Sequence, residues 1–261
     1  MYFLAVDVGN TNISLGIFDD FNDRPLFTFS IATDRNKTEF EYLIAIKTIF
    51  DSFNFSISSV VSVKIASVVP ELNRILLLAF ALIKPRIDVK LIESADFMMQ
   101  FNVQNKSEVG VDRIVNSFAA TTLCCADCII VDFGTATTID IAIKEAGYII
   151  YEGGIILPGV ALSLEALRLG TSKLPKVSLK MPDCLIGKTT TEAINSGIFY
   201  GYPAMISGLI AQIRENYKDR NFRVIITGGV ANLFNRDLFH LEYLLEPELT
   251  LLGINLSHKN S

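Results

Sequence analysis

One short pattern occurs twice, as Asp7-Val8-Gly9-Asn10-Thr11-Asn12 and as Asp132-Phe133-Gly134-Thr135-Ala136-Thr137, the two starts lying nearly half of the 261-residue chain apart. Each copy follows a hydrophobic run, Tyr2 to Val6 or Cys128 to Val131. Each precedes a second one, Ile13 to Phe18 or Thr138 to Ile143. Strand, Asp-x-Gly turn and strand together predict a β-hairpin. Its recurrence at that separation predicts two similar halves. Helical spacing near 38–51, 70–83, 110–123, 158–169 and 189–216, with strands at Ser62 to Val68 and Arg223 to Thr227, makes each half a mixture of both element types. The expected fold class is therefore α/β in two lobes, residues 1–115 and 116–261, with a ligand cleft between them.

The turn residues suit anionic oxygens. Gly9 lets backbone approach a ligand closely, and Asn10, Thr11 and Asn12 offer side-chain and main-chain donors. Asp7, at the end of its strand, would face the same oxygens, which makes sense with a cation between, most naturally Mg²⁺ keeping part of its water shell. In the second copy Thr135, Thr137 and Thr138 supply hydroxyl donors and Asp132 a second carboxylate. Two such turns, one per lobe, could grip opposite sides of a triphosphate. The plainer reading of either turn alone is that Gly, Asn and Thr favour hairpin loops for their own reasons. Thr227-Gly228-Gly229 follows a strand and precedes a helical stretch, a place where backbone can approach a flat ring.

Gly110-Val111-Asp112-Arg113 opens another helical segment. Asp112 could take a hydroxyl proton and Arg113, a planar donor fork, could hold a carboxylate. An acidic residue in a first helical turn also complements the helix dipole without any further role. Spacing leaves both readings open. Two other matches fall away. Asp132-Phe133-Gly134 spells the D-F-G of protein kinases, but their H-R-D loop and V-A-I-K strand are missing. Gly187-Lys188-Thr189 imitates a P-loop ending, but Pro182 stands where its first glycine belongs.

Composition narrows the partners. Half of the residues are hydrophobic and the mean hydropathy is +0.40, yet the longest uncharged apolar run, Ile75 to Ile83, falls far short of the ~20 residues of a spanning helix. It is expected to be a buried helix, and no membrane partner is expected. No basic n-region or small-residue cleavage site opens the chain, so cytoplasmic residence is expected. A net charge of −5 without a Lys/Arg stripe argues against nucleic acid. Cys125 and Cys128 form an isolated C-x-x-C, and with Cys124 and Cys184 they are expected to be buried, reduced thiols. The two histidines, His240 and His258, lie near the C-terminus beside no nucleophile, which leaves a carboxylate as catalytic base.

Taken together, Asp7 to Asn12, Gly110 to Arg113, Asp132 to Thr138, Gly153 to Gly159, Gly187 to Gly197 and Thr227 to Gly229 resemble, in order and over almost the whole chain, the type III pantothenate kinases. Their superfamily also holds sugar kinases, acetate kinase, actin and the Hsp70 ATPase domain. The resemblance implies two ribonuclease H-like, actin-like ATPase lobes, ATP-dependent phosphorylation of pantothenate as the first step of coenzyme A synthesis, and a homodimer, which the helical stretch Ile198 to Ile210, apolar nearly all round, is also expected to require. It implies that Asp7, Val8, Gly9, Asn10, Thr11, Asn12, Ile13, Ser14 and Thr135 bind ATP, and that Asp112 is the general base. It further implies that Gly110, Val111, Asp112 and Arg113 line the pantothenate pocket, that Thr190 reaches that pocket from the second subunit, and that Asp132 holds a monovalent cation, K⁺ or NH₄⁺. The chain departs from the family pattern on the pantothenate side. Val103 stands for a Tyr, Lys106 for a Pro, Val111 for an Ala, Thr189 for an Asn and Asn195 for a Gln. Two further readings are a non-catalytic nucleotide-binding accessory protein of the same fold and a kinase for acetate or a sugar. Retention of Asp112, Arg113 and Asp132 opposes the first, and the Gly110 to Arg113 block opposes the second.

Overall fold

The computed structural model describes residues 1–84, 87–170, 175, 177–234 and 236–259. The chain forms two compact units, one of Met1–Ala120 with the stretch from Glu248 onward, the other of Thr121–Pro247. The first unit contains β1 (Tyr2–Val8), β2 (Asn12–Asp19), β3 (Phe27–Ala32), α1 (Glu39–Ser52), β4 (Val60–Ser67), α2 (Pro70–Ile83), β5 (Asp88–Leu91) and β6 (Met99–Phe101), and α3 (Val111–Cys124) runs out of it. The second contains β7 (Cys128–Phe133), β8 (Ala136–Glu145), β9 (Tyr148–Pro158), α4 (Val160–Gly170), α5 (Thr190–Phe199), α6 (Gly201–Asn216), β10 (Arg223–Thr227) and β11 (Leu244–Leu245), after which α7 (Leu249–Lys259) returns to the first.

The two sheets repeat one topology. Strand order is β3-β2-β1-β4-β5 in the first unit, and the second carries β9-β8-β7-β10-β11. In each, the strand before the Asp-x-Gly turn pairs antiparallel with the strand after it and parallel with a later strand on its other side. Buried on both sides, β1 reads as a continuous apolar run, with Leu4, Ala5 and Val6 fully buried, rather than as an alternating one. Separate cores support the sheets. Val6, Leu15, Ile46, Ile65 and Phe80 belong to one, and Val131, Ile139, Ile206, Ile226 and Phe239 to the other.

Local sequence sets the helix ends. Thr38 and Glu41 form a reciprocal capping box on α1, and Pro70 starts α2 where its missing N–H costs nothing. The run expected as a buried helix is α2, but only Leu72, Leu76, Ala79 and Phe80 are buried while Leu78 and Leu82 reach solvent. The single helix expected at 189–216 is two, α5 and α6, meeting at Tyr200. Pro203 accounts for the break, since it has no N–H to give the carbonyl of Phe199 four residues back. The apolar residues of this stretch serve their own unit: Ile198, Tyr202, Ile206, Ile210 and Ile213 are buried in its core.

The sequence placed the lobe division at 115/116 with everything after it in the second lobe. In the structure α7 packs on the first unit instead. Gly253 lets α7 press on α3, where a Cβ would stand 2.7 Å from the Val115 carbonyl oxygen. Thr250 donates to Asn116 Oδ1 at 2.8 Å, the buried Lys64 donates to the Ser257 carbonyl at 2.9 Å, and His258 stacks on Phe3 at 4.0 Å between ring centres.

Candidate active site

The first hairpin is the β1–β2 turn. Gly9 N–H donates to Asn12 O at 2.9 Å, which leaves Asn10, Thr11 and Asn12 exposed at the tip. A Cβ on Gly9 would stand 3.1 Å from that same oxygen, so the turn is tight. Asp7 lies half-buried across from Ser14 on one side and Ala66 on the other. Val8 and Ile13 are fully buried core residues, and only their main chain faces the turn. Residues that sequence reading missed hold this tip. Thr33 donates through Oγ1 to Gly9 O at 2.6 Å and through its N–H to Thr11 O at 2.9 Å, and Arg35 donates to Asn10 Oδ1 at 2.9 Å. No motif flags them; only the pairing of β2 with β3, Asn12 opposite Ala32, brings them there.

The second hairpin is the β7–β8 turn and closes one residue tighter, with Gly134 N–H donating to Ala136 O at 3.1 Å. Asp132 is half-buried between Thr138 on β8 and Thr227 on β10. The three threonines expected as donors part company. Thr135 is exposed at the tip. Thr137 is fully buried with its Oγ1 unpartnered, so it does not reach a ligand there. Thr138 gives its proton to Asp140 Oδ2 at 3.1 Å, while Tyr151 donates to the other oxygen at 2.7 Å. Period-2 alternation along β8 separates Thr137 from Thr138, whereas Thr135 lies in the turn before the strand.

Two glycines press on this turn from behind. Gly228, at φ +97°, has its Cα so close to β7 that a Cβ would meet Asp132 Oδ1 at 2.5 Å. The stretch read as a backbone approach to a flat ring thus spends Gly228 on strand packing, whereas Gly229 borders open space. Gly159 backs the tip itself, since a Cβ there would stand 2.7 Å from Gly134 O and nearer still to Thr135 O.

Gly110 to Arg113 make the first turn of α3 and are all half-buried. The Arg113 and Ile114 N–H groups donate to Gly110 O at 3.1 and 3.3 Å, and Arg113 N–H also reaches Asp112 Oδ1 at 2.8 Å. That bond is the dipole-complementing contact of the helix start. A Cβ on Gly110 would strike Asp112 Oδ1. Val68 joins this turn to the first hairpin, donating to Val8 O at 3.0 Å while its Cγ1 lies 3.6 Å from the Gly110 Cβ position.

Thr190 is exposed at the start of α5. Two departures from the family pattern have local explanations here. Thr189 caps α5 in a reciprocal box with Glu192, at 3.2 Å both ways. Asn195 is buried and ties down the preceding segment, accepting from Lys180 N–H and donating to Ser178 O. Asp7 to Ser14 and Gly110 to Arg113 thus belong to the first unit, and Asp132, Thr135 and Thr190 to the second.

Among the described residues no three His, Cys, Asp or Glu side chains cluster to hold a metal. The donors fit a hard cation held by single carboxylates with phosphate oxygens and water, and they do not fit an all-protein cage. The cysteines are free thiols, but the expectation that all are buried is corrected. Cys128 is buried, Cys124 half-buried, and Cys125 and Cys184 exposed, the last two because they lie in connecting loops. Burial pushes the Cys128 thiol far up, and Cys124 beside it adds to the rise.

The family model for type III pantothenate kinase matches residues 3–212. A type III pantothenate kinase of Shouchella clausii (strain KSM-K16) is 39% identical, with 96% of each chain covered. Among solved structures, a Campylobacter jejuni protein assigned to the Baf family of transcriptional activators matches at TM-score 0.56 and 20% identity over 98% of both chains. The inorganic polyphosphate/ATP-glucomannokinase of Arthrobacter sp. strain KM matches at TM-score 0.50 and 12% identity over 100% of this chain and 99% of its own. At such identities these two structures establish the fold alone, the actin-like fold of the sugar kinases.

Proposed function

The chain belongs to the type III pantothenate kinase family, and on that footing we propose which of its residues carry the ATP-dependent phosphorylation of pantothenate. The observation behind the activity is the family match over nearly the full length. Phosphoryl transfer asks a protein mainly for positioning and charge neutralisation, and an exposed tight turn rich in donors supplies both.

In this reading the hairpin from Asp7 to Ser14 and Thr135 on the other hairpin hold the ATP phosphates. Val8 and Ile13 act through main chain only. Asp112 takes the proton of the pantothenate hydroxyl as it attacks, with Arg113 N–H holding one carboxylate oxygen. The Arg113 guanidinium pairs the pantothenate carboxylate. Gly110 and Val111 line that pocket. Asp7 would hold Mg²⁺ through water and Asp132 a monovalent cation, K⁺ or NH₄⁺; both would supply positive charge against the phosphates.

A homodimer belongs to the same proposal, with Thr190 reaching the pantothenate pocket of the partner subunit. The apolar stretch at 198–210 does not by itself call for a dimer, because its own unit buries most of it. Support comes instead from Ile156, Leu162, Leu169, Leu185 and Ile186, large apolar side chains each exposed in the second unit, which burial against a second copy would take out of water. Among the described residues no helix is long and apolar enough to cross a membrane, and cytoplasmic residence remains the proposed location.

The test is ADP release coupled to a dehydrogenase, with ATP, Mg²⁺ and K⁺ and with pantothenate, acetate or hexoses as acceptor. Pantothenate alone should support turnover. Release with acetate or a hexose but not with pantothenate would overturn the substrate, and release with none would restore the accessory-protein reading.

A further inference from the structure

The two carbonyls taken by Thr33 decide where the first hairpin points its donors. In a trans peptide the C=O and the N–H lie in one plane and point in opposite directions. The Gly9 carbonyl is held by Thr33 Oγ1 at 2.6 Å, and the Thr11 carbonyl by Thr33 N–H at 2.9 Å. The N–H groups sharing those peptides, on Asn10 and Asn12, are therefore turned away from Thr33. Main-chain N–H groups fixed in a turn favour an anion.

Arg35 acts in the same sense. Its guanidinium takes the acceptor end of Asn10, Oδ1 at 2.9 Å, so the end that Asn10 can present to a ligand is its amide donor. The Arg35 side chain is exposed and keeps its positive charge beside the tip.

We infer that Thr33 is a positioning residue for the nucleotide phosphates: it tethers the hairpin from behind so that the Asn10 and Asn12 N–H groups stand ready, with Arg35 turning Asn10 to match. The inference rests on the reading of this hairpin as a phosphate site. It adds that the site is assembled by a segment outside every motif that identifies it. Without the Oγ1 bond the Gly9–Asn10 peptide is free to rotate, and part of the binding energy goes to reordering it.

The experiment compares Thr33→Val, which keeps shape and N–H but loses the hydroxyl donor, with Thr33→Ser, which keeps the donor. KM is measured for ATP and for pantothenate separately, and ADP binding by calorimetry. Thr33→Val should raise the ATP KM and the ADP Kd by roughly two- to twelvefold, the loss of one neutral hydrogen bond. Its pantothenate KM and Tm should hold, and Thr33→Ser should stay near wild type. An unmoved ATP KM, an equal rise for both substrates, or a Ser variant no better than Val overturns the positioning role. Should Thr33→Val fold poorly, Thr33→Ala carries the same comparison. Thr11→Ala at the tip separates the two levels. If Thr11→Ala weakens ATP and Thr33→Val does not, only the tether fails; if neither does, the phosphate reading of the hairpin fails with it.

Discussion

Adding one methyl group at Gly159 tests whether the second hairpin handles nucleotide. Gly159 lies between β9 and α4, its carbonyl accepting the Ser163 N–H at 2.9 Å as the helix begins. A Cβ built on it would sit 2.7 Å from Gly134 O and closer still to Thr135 O. Carbon and carbonyl oxygen rarely approach nearer than ~3.3 Å even in favourable contacts, so the gap is short by more than half an ångström at one oxygen and by about twice that at the other. Both are main-chain atoms, and no rotamer change can relieve the clash. Either α4 or the tip carrying Thr135 must move by about an ångström. Overpacking of this kind costs about 1–3 kcal/mol, and for a chain of this size each kcal/mol lowers Tm by roughly 2–4 °C.

The catalytic cost is the larger one, because an ångström of misplacement near a transferring group can cost roughly 10²-fold. Gly159→Ala should therefore lower kcat/KM for ATP by about that factor, with a melting shift of only a few degrees, and coupled ADP release beside thermal melts measures both. Gly208→Ala is the control. It sits exposed in α6, where a Cβ meets nothing within 4 Å, and should leave kinetics alone while stabilising by up to ~1 kcal/mol. If Gly159→Ala keeps kcat/KM for ATP within twofold of wild type, Thr135 does not work at the phosphates.

Other outcomes follow from single side chains. Asp112→Asn keeps the acceptor for Arg113 N–H but loses the proton acceptor, so kcat should fall by ~10² to 10⁴ at near-normal ATP binding, and added K⁺ should not rescue it. Asp132→Asn should show a defect that lessens as K⁺ is raised; equal rescue of both variants would refute the division of roles. Val103→Tyr restores a hydroxyl worth about 0.5–1.5 kcal/mol and should lower the pantothenate KM several-fold, whereas an unchanged KM would remove that position from the pocket. Burial holds the His258 imidazole below its ordinary pKa of 6.5, with Lys64 adding to the shift. Because the unfolded chain then binds more protons just below that value, stability should decline as pH falls from 6.5, and His258→Phe, which keeps a ring on Phe3, should flatten that decline in a Tm-against-pH series.

The hairpins, α1, α2, α3, β4 and β10 were legible because each carries a strong local signal: an apolar run, a cap, a Gly turn. β9 was not, because Gly153 and Gly154 interrupt its apolar run. The strand survives them through a bulge, with Gly153 at φ +112° and the register slipping between Ile141 and Ala142. The Pro203 break within 189–216 was visible in principle and was overridden by the apolar pattern around it. At the site, the turn residues could be read because their chemistry and their conformation both favour Gly, Asn and Thr. Thr33 and Gly159 could not, since what selects them is a contact made in space with a turn more than twenty residues away.

Those contacts show how one topology used twice is held in two ways. In both units the carbonyl before the turn glycine accepts an N–H from beyond the parallel neighbour strand, Val68 to Val8 at 3.0 Å and Val230 to Phe133 at 3.4 Å. Beyond that shared bond the devices differ. The first tip is tethered by donors from Thr33 and Arg35, bonds that can be removed one at a time and that cost a few-fold each. The second is wedged by Gly159 and Gly228, where the support is the absence of a side chain and any addition moves main chain. Substitution in the 33–35 segment should therefore grade ATP affinity in small steps, whereas substitution at either glycine should act nearly all at once. Gly228→Ala is the sharper case, because φ of +97° adds backbone strain to the 2.5 Å approach on Asp132. It should impair the cation site proposed at Asp132 as well as the turn, so raising K⁺ should recover less activity in Gly228→Ala than in Asp132→Asn. Equal recovery would mean that Asp132 keeps its place without the glycine, and that the second hairpin is held by its strand pairing alone.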